Sequence, residues 1–171
     1  MKQSPNNLTD SSHCRTAEPK DVPSICRIYN AHIDLGGATF ETEHWDPQAI
    51  QEKLQAVTTD YWFVMEADSQ VVGWSAARSY SQRYGYRLTR EVAVYLDPGF
   101  IGLGYGRELM KRLETICRRH KIHHLVSRII ASNQASLQFH DQIGYELVGV
   151  QKEIGSLNNQ WQDVAILQKL I

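Results

Sequence analysis

The feature that most constrains this chain is a strand-like run that leads through a cluster of glycines into a helical pattern. Residues 91–96 (EVAVYL) are rich in β-branched and aromatic residues, and Gly102, Gly104 and Gly106 follow. Apolar residues then recur at helical spacing as far as Cys117. A glycine-rich turn between a strand and a helix presents backbone N–H groups at the helix N-terminus, where they can bind phosphate. The segment therefore predicts a phosphate-binding connection; the alternative is that the three glycines mark an ordinary tight turn between a strand and a helix.

Two better known glycine-rich phosphate loops do not fit this segment. A dinucleotide fingerprint that starts at Gly102 and Gly104 needs a third glycine at position 107, which is Arg107. A P-loop needs Gly-Lys followed by Ser or Thr, and the sequence contains no such run. The ligand of the loop is therefore expected to be of another class.

The remaining patterns divide the chain into helices scattered between strands. Apolar residues at helical spacing, preceded by cap-forming residues such as Asp21, Asp46 and Asn133, predict helices over 21–34, 47–58, 107–119 and 133–143. Runs of β-branched and aromatic residues predict strands over 61–65, 71–74, 91–96, 125–130, 145–150 and 163–170. This order predicts an α/β (α+β) fold, a mixed sheet with helices on both faces.

Size and charge narrow the classes of partner. The chain has 171 residues, 42% of them hydrophobic, which is enough for one domain with a buried core. Its formal net charge of -1 lacks the basic excess typical of proteins that bind nucleic acid or anionic membranes. No apolar run approaches the ~20 residues of a membrane span. We therefore expect no nucleic-acid partner and no membrane partner.

The first residues and the cysteines suggest where the chain lies and where its domain begins. Residues 1–13 are polar and lack the apolar stretch of a secretory signal, so we expect a flexible leader there and a single domain over residues 14–171. The three cysteines, Cys14, Cys26 and Cys117, are odd in number and widely spaced, which favours reduced thiols. These features predict a cytoplasmic protein.

Several short motifs, in matching order over residues 14–171, resemble the GNAT superfamily of N-acetyltransferases. They are Val94-Tyr95-Leu96, the loop from Gly102 to Arg107, Asn133, Phe139-His140 and Gly144-Tyr145. The segments at 38–43 (ATFETE), 83–86 (RYGY) and 161–164 (WQDV) further resemble the phosphinothricin and methionine sulfone or sulfoximine N-acetyltransferases. The resemblance implies a GNAT fold with a mixed, mostly antiparallel sheet, acetyl-CoA as co-substrate, a small-molecule amine as acceptor, and a homodimer.

The resemblance also implies where acetyl-CoA binds. Its pantetheine amides would pair with the backbone of Val94, Tyr95 and Leu96 as if with another strand, and Asn133 would hydrogen-bond the same cofactor arm. The backbone N–H groups of the loop would hold the pyrophosphate, over Gly102, Leu103, Gly104, Tyr105, Gly106 and Arg107. The sequence departs from the family at Ile101, where Gln or Arg is usual, so a side-chain contact to the phosphates is lost.

Two residues take catalytic roles by the same resemblance. Acetyl transfer to an amine requires that the ammonium lose a proton and that the leaving thiolate be stabilised. Glu91 would accept the proton, directly or through a water, and His140 beside the CoA sulfur would donate or relay one. A backbone N–H of residues 94–96 would contact the developing oxyanion, and no acyl-enzyme is needed. Without the family match, Glu91 is interpreted as an exposed strand carboxylate and His140 as a surface or core histidine.

A zwitterionic acceptor with an α-carboxylate calls for a fork-shaped cation, which Arg83 or Arg87 could supply. The alternative is that both arginines are solvated loop charges. The expected acceptor-binding residues are Phe40, Glu41, Arg83, Tyr84, Gly85 and Tyr86, with Trp74 as a further wall. Residues 157–160 (LNNQ) stand where family members often carry Lys and Gly, which leaves the identity of the acceptor open.

Two other functions stay open on the sequence. One is a protein, peptide or polyamine N-acetyltransferase of the same fold, which needs an open groove. The other is a CoA-binding sensor without catalysis, which the departure at Ile101 allows. No metal is expected, because Cys117 and His120 lie near one helix end while His123 and His124 would point to opposite faces of a strand.

Overall fold

The structure of the protein is a computed structural model, and it describes residues 12–56 and 60–171. One sheet of seven strands, in the order β1-β2-β3-β4-β5-β7-β6, carries four α-helices in these residues. The strands are β1 (His13–Thr16), β2 (Tyr61–Ala67), β3 (Gln70–Ser79), β4 (Thr89–Leu96), β5 (His124–Ile130), β6 (Glu146–Leu157) and β7 (Gln160–Leu170). The helices are α1 (Val22–Leu35), α2 (Pro47–Gln55), α3 (Tyr105–Arg119) and α4 (Gln134–Gln142).

The predicted fold class is confirmed, and each predicted helix and strand has a counterpart with somewhat different bounds. α2 ends at Gln55, and positions 57 and 58 of the helix predicted over 47–58 lie outside the described residues. All neighbouring strands are antiparallel except β4 and β5, which are parallel. β1 was not predicted, because its four residues are too few and too polar to stand out, and it exists through pairing with β2, where Cys14 lies opposite Met65. The predicted leader lies outside the described residues up to position 11, and His13 belongs to β1.

The two faces of the sheet bury separate apolar clusters, as the alternation of side chains along a strand requires. On the face covered by α3 and α4, Phe63 of β2 packs with Leu109 and Leu113 of α3. On the opposite face, Val64 of β2 packs with helices α1 and α2 through residues such as Ile25. Burying a large aliphatic or aromatic side chain contributes about 1.5–3 kcal/mol. Both clusters therefore hold the central strands in a fixed register.

The sheet opens at its centre, between β4 and β5. The two strands pair only through Thr89–Glu91 of β4 and residues 124–126 of β5. On its other side, β4 stays paired with β3 as far as Leu96, which lies opposite Gly73. The backbone of residues 92–96 therefore has an edge without a partner on β5. Such an edge can bind an extended ligand that carries amide groups.

A long hairpin of β6 and β7 closes the far side of the sheet. β6 is an edge strand with two irregular pairings to β7, and it exposes Leu147, Val148, Val150 and Ile154.

Among the helices of the described residues, none combines the length and the apolar composition that crossing a membrane requires.

Candidate active site

The glycine-rich connection lies beyond the open edge of β4, at the N-terminus of α3. Gly102 and Gly104 take left-handed conformations, with φ of 86° and 90°, and Gly104 is the N-cap residue of α3. In the described part of the chain, none of the backbone hydrogen bonds formed by turns, loops and caps uses the N–H group of Leu103, Gly104 or Gly106 as its donor. These N–H groups and the positive end of the helix dipole suit a phosphate or pyrophosphate.

Gly106 lies in the first turn of α3, beside α4 and the end of β4. A Cβ at this position would lie 3.4 Å from Cε2 and Cζ of Phe139 in α4, and 3.6 Å from Cδ1 of Leu96 at the end of β4. A Cβ there would be in van der Waals contact with both. The first turn of α3, the end of β4 and α4 therefore border one cleft at this glycine.

Glu91 lies where β4 and β5 part. Both of its carboxylate oxygens accept hydrogen bonds from Arg128 of β5, at 2.9 Å from Nε and 2.7 Å from Nη2. By the alternation along β4, the Glu91 side chain faces the same side of the sheet as Ala93 and Tyr95. Arg128 therefore fixes the orientation of this carboxylate on the side covered by α1 and α2.

Four aromatic side chains on that side enclose a cavity of about 130 Å³. Tyr29 of α1 stacks on Trp45, with 3.8 Å between ring centroids, and Trp74 of β3 stacks on Tyr95 of β4, with 5.0 Å between centroids. Ala93 also lines the cavity. The cavity is thus bounded by the same strand whose backbone edge is open.

Hydrogen bonds from the loop between α1 and α2 hold the two tyrosines. The hydroxyls of Tyr29 and Thr39 lie 2.5 Å apart, and the hydroxyl of Tyr95 donates to the carbonyl of Ala38 at 3.2 Å. Burial raises the pKa of both phenols above its ordinary value, so both stay protonated at neutral pH. The aromatic walls are therefore uncharged and fixed in place.

Three charged side chains complete the lining of this cavity: Glu41, Lys53 and Arg78. Among the described residues, none of the three forms an ion pair. Lys53 lies over the ring of Trp45, 5.9 Å from its centroid. The cavity therefore offers one anion and two cations to a small polar ligand.

A family model described as an acetyltransferase (GNAT) domain matches residues 14–166, most of the chain. The chain belongs to the GNAT acetyltransferase family. It is 32% identical to the phosphinothricin N-acetyltransferase of Alcaligenes faecalis, over 91% of this chain and 80% of that one. It is 28% identical to the L-methionine sulfoximine/L-methionine sulfone acetyltransferase of Salmonella typhimurium, over 90% of this chain and 91% of that one.

Solved GNAT structures share the fold. A phosphinothricin acetyltransferase from Sinorhizobium meliloti, in complex with acetyl-CoA, superposes with a TM-score of 0.88 at 25% identity, covering 94% of this chain and 89% of that one. A ribosomal-protein-alanine N-acetyltransferase from Brucella melitensis superposes with a TM-score of 0.89 at 28% identity, covering 93% of this chain and 99% of that one.

The remaining residues predicted to bind the cofactor lie in the first turn of α3 and at the N-terminus of α4. Asn133 caps α4, because its Oδ1 accepts from the N–H of Ser136 at 3.1 Å, which leaves its amide nitrogen to donate elsewhere. The Tyr105 side chain is buried in the core, so only its backbone can face a ligand. Arg107 donates to the carbonyl of Gln142 at 3.4 Å, and Ile101 is 59% exposed.

His140, which the GNAT resemblance predicts to donate or relay a proton, is only 3% exposed. Its Nδ1–H donates to the carbonyl of Ser136 at 2.9 Å, so its Nε2 accepts from the hydroxyl of Ser127 at 3.2 Å. Burial lowers the pKa of His140 below its ordinary value. The imidazole is therefore neutral; its Nδ1 bonds within α4, and the bond from Ser127 to its Nε2 joins α4 to β5.

The predicted acceptor-binding residues are divided between two places. Glu41 and Trp74 line the aromatic cavity, and Phe40 lies next to Glu41 but packs on the β6–β7 hairpin. Arg83, Tyr84, Gly85 and Tyr86 belong to an exposed turn between β3 and β4 and do not line the cavity. In that turn, the guanidinium of Arg87 lies over the ring of Tyr84, 4.3 Å from its centroid.

Several residues of the site were missed by the sequence patterns. Tyr29 was assigned to the apolar stripe of the first helix, while Trp45, Lys53 and Arg128 carried no motif. Arg78 follows Trp74 at an even spacing, so extending the strand to residue 79 would have placed both on one face. In the described residues no group of three His, Cys, Asp or Glu could hold a metal ion.

Proposed function

We propose that this chain is an acetyl-CoA-dependent N-acetyltransferase that acetylates the α-amine of a small amino-acid-like molecule. The observation that carries the proposal is that an open backbone edge and a cavity wall lie on the same strand, β4. Its backbone edge over residues 92–96 is open, while the side chains of Ala93 and Tyr95 line the aromatic cavity. A cofactor on that edge and an amine in that cavity would meet at one strand.

Acetyl-CoA would supply a thioester whose acyl carbon is open to attack by an amine. The residues present fit this co-substrate. The edge of β4 over Val94–Leu96 offers backbone groups to the pantetheine amides, although the Leu96 carbonyl already accepts from Nε2 of His32 at 2.7 Å. The N–H groups of the glycine loop would bind the pyrophosphate. Since the Ile101 side chain has no polar atom, the contact to the pyrophosphate would come from these backbone N–H groups.

Glu91 would take the proton from the ammonium of the acceptor, directly or through a water. Its side chain faces the acceptor side of the sheet, and Arg128 holds both carboxylate oxygens. A backbone N–H in residues 94–96 would donate to the oxyanion that develops during transfer. His140 would act as a positioning residue that keeps α4 beside the cleft.

Direct transfer between the two substrates needs no nucleophile from the protein, and the cysteines support this route. Burial raises the pKa of Cys14 and Cys117 to about 11, and it also raises the pKa of Cys26. A thiol is nucleophilic only as its thiolate. All three side chains are therefore protonated at neutral pH and unsuited to form an acyl-enzyme.

Two observations bear on the acceptor. The relatives named for phosphinothricin and for methionine sulfoximine or sulfone favour a small amino-acid-like acceptor, and a cavity of about 130 Å³ matches one. The structural relative named for a ribosomal-protein alanine favours a protein N-terminus as the second candidate. Drug-sized ligands need about 300 Å³ or more. The size of the cavity therefore supports the small acceptor.

The test is the release of free thiol from acetyl-CoA in the presence of different acceptors. The panel is phosphinothricin, methionine sulfone, methionine sulfoximine, a polyamine and a peptide that begins with alanine. Turnover with the amino-acid analogues alone is expected. Turnover with the peptide or polyamine alone would replace the proposal with the rival enzyme. Binding of acetyl-CoA without turnover of any acceptor would make the chain a CoA sensor.

We further propose that the chain forms a homodimer in the cytoplasm. An edge strand that exposes Val148 and Ile154, next to Trp161 on β7, supports a protein contact at this surface. The three unpaired cysteines suit a reducing compartment. Light scattering on the purified protein should give twice the mass of the chain, and the mass of one chain would contradict the dimer.

A further inference from the structure

The aromatic cavity holds more cationic than anionic charge. Glu41 is its one acidic lining residue, whereas Lys53 and Arg78 are both basic. Neighbouring Glu91 is already neutralised by Arg128. A simple zwitterion would match Glu41 with its ammonium and one cation with its carboxylate, leaving the other cation without an anion. A charge that loses water on ligand binding without gaining a partner opposes that binding.

Arg78 is the better placed of the two cations. It lies on β3 opposite Glu91, on the same face as Trp74, and its side chain is half-buried. Its positive charge reaches the hydroxyls of Tyr29 and Tyr95, where it opposes the rise in the pKa of both phenols. No hydrogen bond or ion pair holds its guanidinium within the described residues. It is therefore a free fork-shaped donor at the wall of the cavity.

We propose that Arg78, together with Lys53, selects an acceptor with two anionic groups, that is, an amino acid whose side chain ends in a second anion such as a carboxylate or a phosphinate. The inference rests on the proposed N-acetyltransferase function. With such an acceptor, the cations of Arg78 and Lys53 would face its two anionic groups. Glu41 would face its ammonium before that group loses a proton. Guanidinium binds both carboxylate and phosphinate oxygens through paired N–H donors.

The test compares acceptors that differ in side-chain charge but little in shape. Glutamate and glutamine form one pair, and phosphinothricin and methionine sulfone form the second. For the wild-type protein, we expect kcat/KM to favour the charged member of each pair by roughly tenfold or more, as for a hydrogen bond to a charged group. Equal values for both members would overturn the proposal. A preference in one pair alone would show whether carboxylate or phosphinate is the selected anion.

Variants then assign the preference to Arg78. Arg78→Gln should remove most of the preference by raising KM for the charged acceptor, and Arg78→Lys should keep part of it. Arg119→Gln, which removes the same charge from the exposed last turn of α3, should leave it unchanged. An intact preference in Arg78→Gln, with unchanged melting temperature and acetyl-CoA affinity, would overturn the assignment.

A binding measurement separates this inference from the proposed function. Trp45 and Trp74 line the cavity, so tryptophan fluorescence can report acceptor binding in the presence of CoA without any turnover. Absence of turnover with every amino acid would contradict the proposed function, and the ratio of dissociation constants for phosphinothricin and methionine sulfone would still test the charge selection. A ratio near one would overturn the inference even if the enzyme were active.

Discussion

At the scale of single residues, the proposed proton transfer depends on the contact between Glu91 and Arg128. The two hydrogen bonds fix the carboxylate where β4 and β5 part. The sequence identified Glu91 through its family motif. It could not identify Arg128, because the pairing requires knowing that two strands far apart in the chain are neighbours in the sheet.

Replacing Glu91 by Gln removes the proton acceptor while keeping the size of the side chain. We expect the rate of acetyl transfer to fall by about 100-fold or more, as for the loss of a general base, with the affinity for acetyl-CoA unchanged. Steady-state kinetics and a cofactor titration measure the two effects. Glu146→Gln, at an exposed position of β6, serves as the control. Full activity of Glu91→Gln across pH would contradict the base role.

His140 makes the stability of the protein depend on pH. Burial lowers its pKa in the folded state below the ordinary value of 6.5, so the unfolded chain binds the proton first as the pH falls. Its contribution is therefore complete above about pH 6.5 and is lost as the pH falls through the folded pKa, with a slope of at most about 1.4 kcal/mol per pH unit.

Urea denaturation at several pH values between about 7.5 and 5 measures this dependence. His140→Gln should be less stable at neutral pH, because it loses the bonds to Ser127 and Ser136, but its free energy of unfolding should fall less steeply with acid. Equal slopes for the variant and the wild-type protein would contradict the buried neutral histidine.

At the scale of secondary-structure elements, the loop between α1 and α2 connects the β6–β7 hairpin to the aromatic cavity, the proposed acceptor site. Phe40 of this loop packs on Gly155 of β6, where a Cβ would lie only 2.4 Å from its Cε1. The next residue, Glu41, lines the cavity. The position of the β6–β7 hairpin therefore influences the shape of the aromatic cavity.

Gly155→Ala should push Phe40 away and displace Glu41 with it. We expect KM for the acceptor to rise severalfold, while the dissociation constant for acetyl-CoA stays unchanged. Gly149→Ala is the matched control, because a Cβ at that position of the same strand meets no atom within 4 Å. Equal acceptor KM values for the two variants would show that the contact with Phe40 does not shape the site.

Strand lengths explain why part of the site escaped prediction from the sequence. The predicted strand at 71–74 ends before Ser75-Ala76-Ala77, residues with weak β propensity, yet β3 continues to Ser79 because β2 and β4 pair with it on both sides. Arg78 therefore lies outside the strand that the sequence predicts. Tertiary pairing extended the strand and placed Arg78 on the face of Trp74.

At the scale of the whole molecule, the sequence predicted the four α-helices, every strand of the described residues except β1, and the glycine loop. These depend on local periodicity and on left-handed turns at Gly102 and Gly104. It could not predict the opening between β4 and β5, since the register of parallel strands depends on distant parts of the chain. Because of that opening, β4 carries both an open backbone edge, the proposed cofactor site, and a wall of the aromatic cavity.

The most direct test of this arrangement is a grid of initial rates of thiol release at varied acetyl-CoA and varied phosphinothricin concentrations. If acetyl-CoA and the acceptor bind to β4 at the same time, we expect turnover with intersecting double-reciprocal lines, as for transfer within a ternary complex. Parallel lines would indicate an acetylated enzyme intermediate. Either parallel lines or no thiol release at any concentration would contradict direct transfer between the two sites.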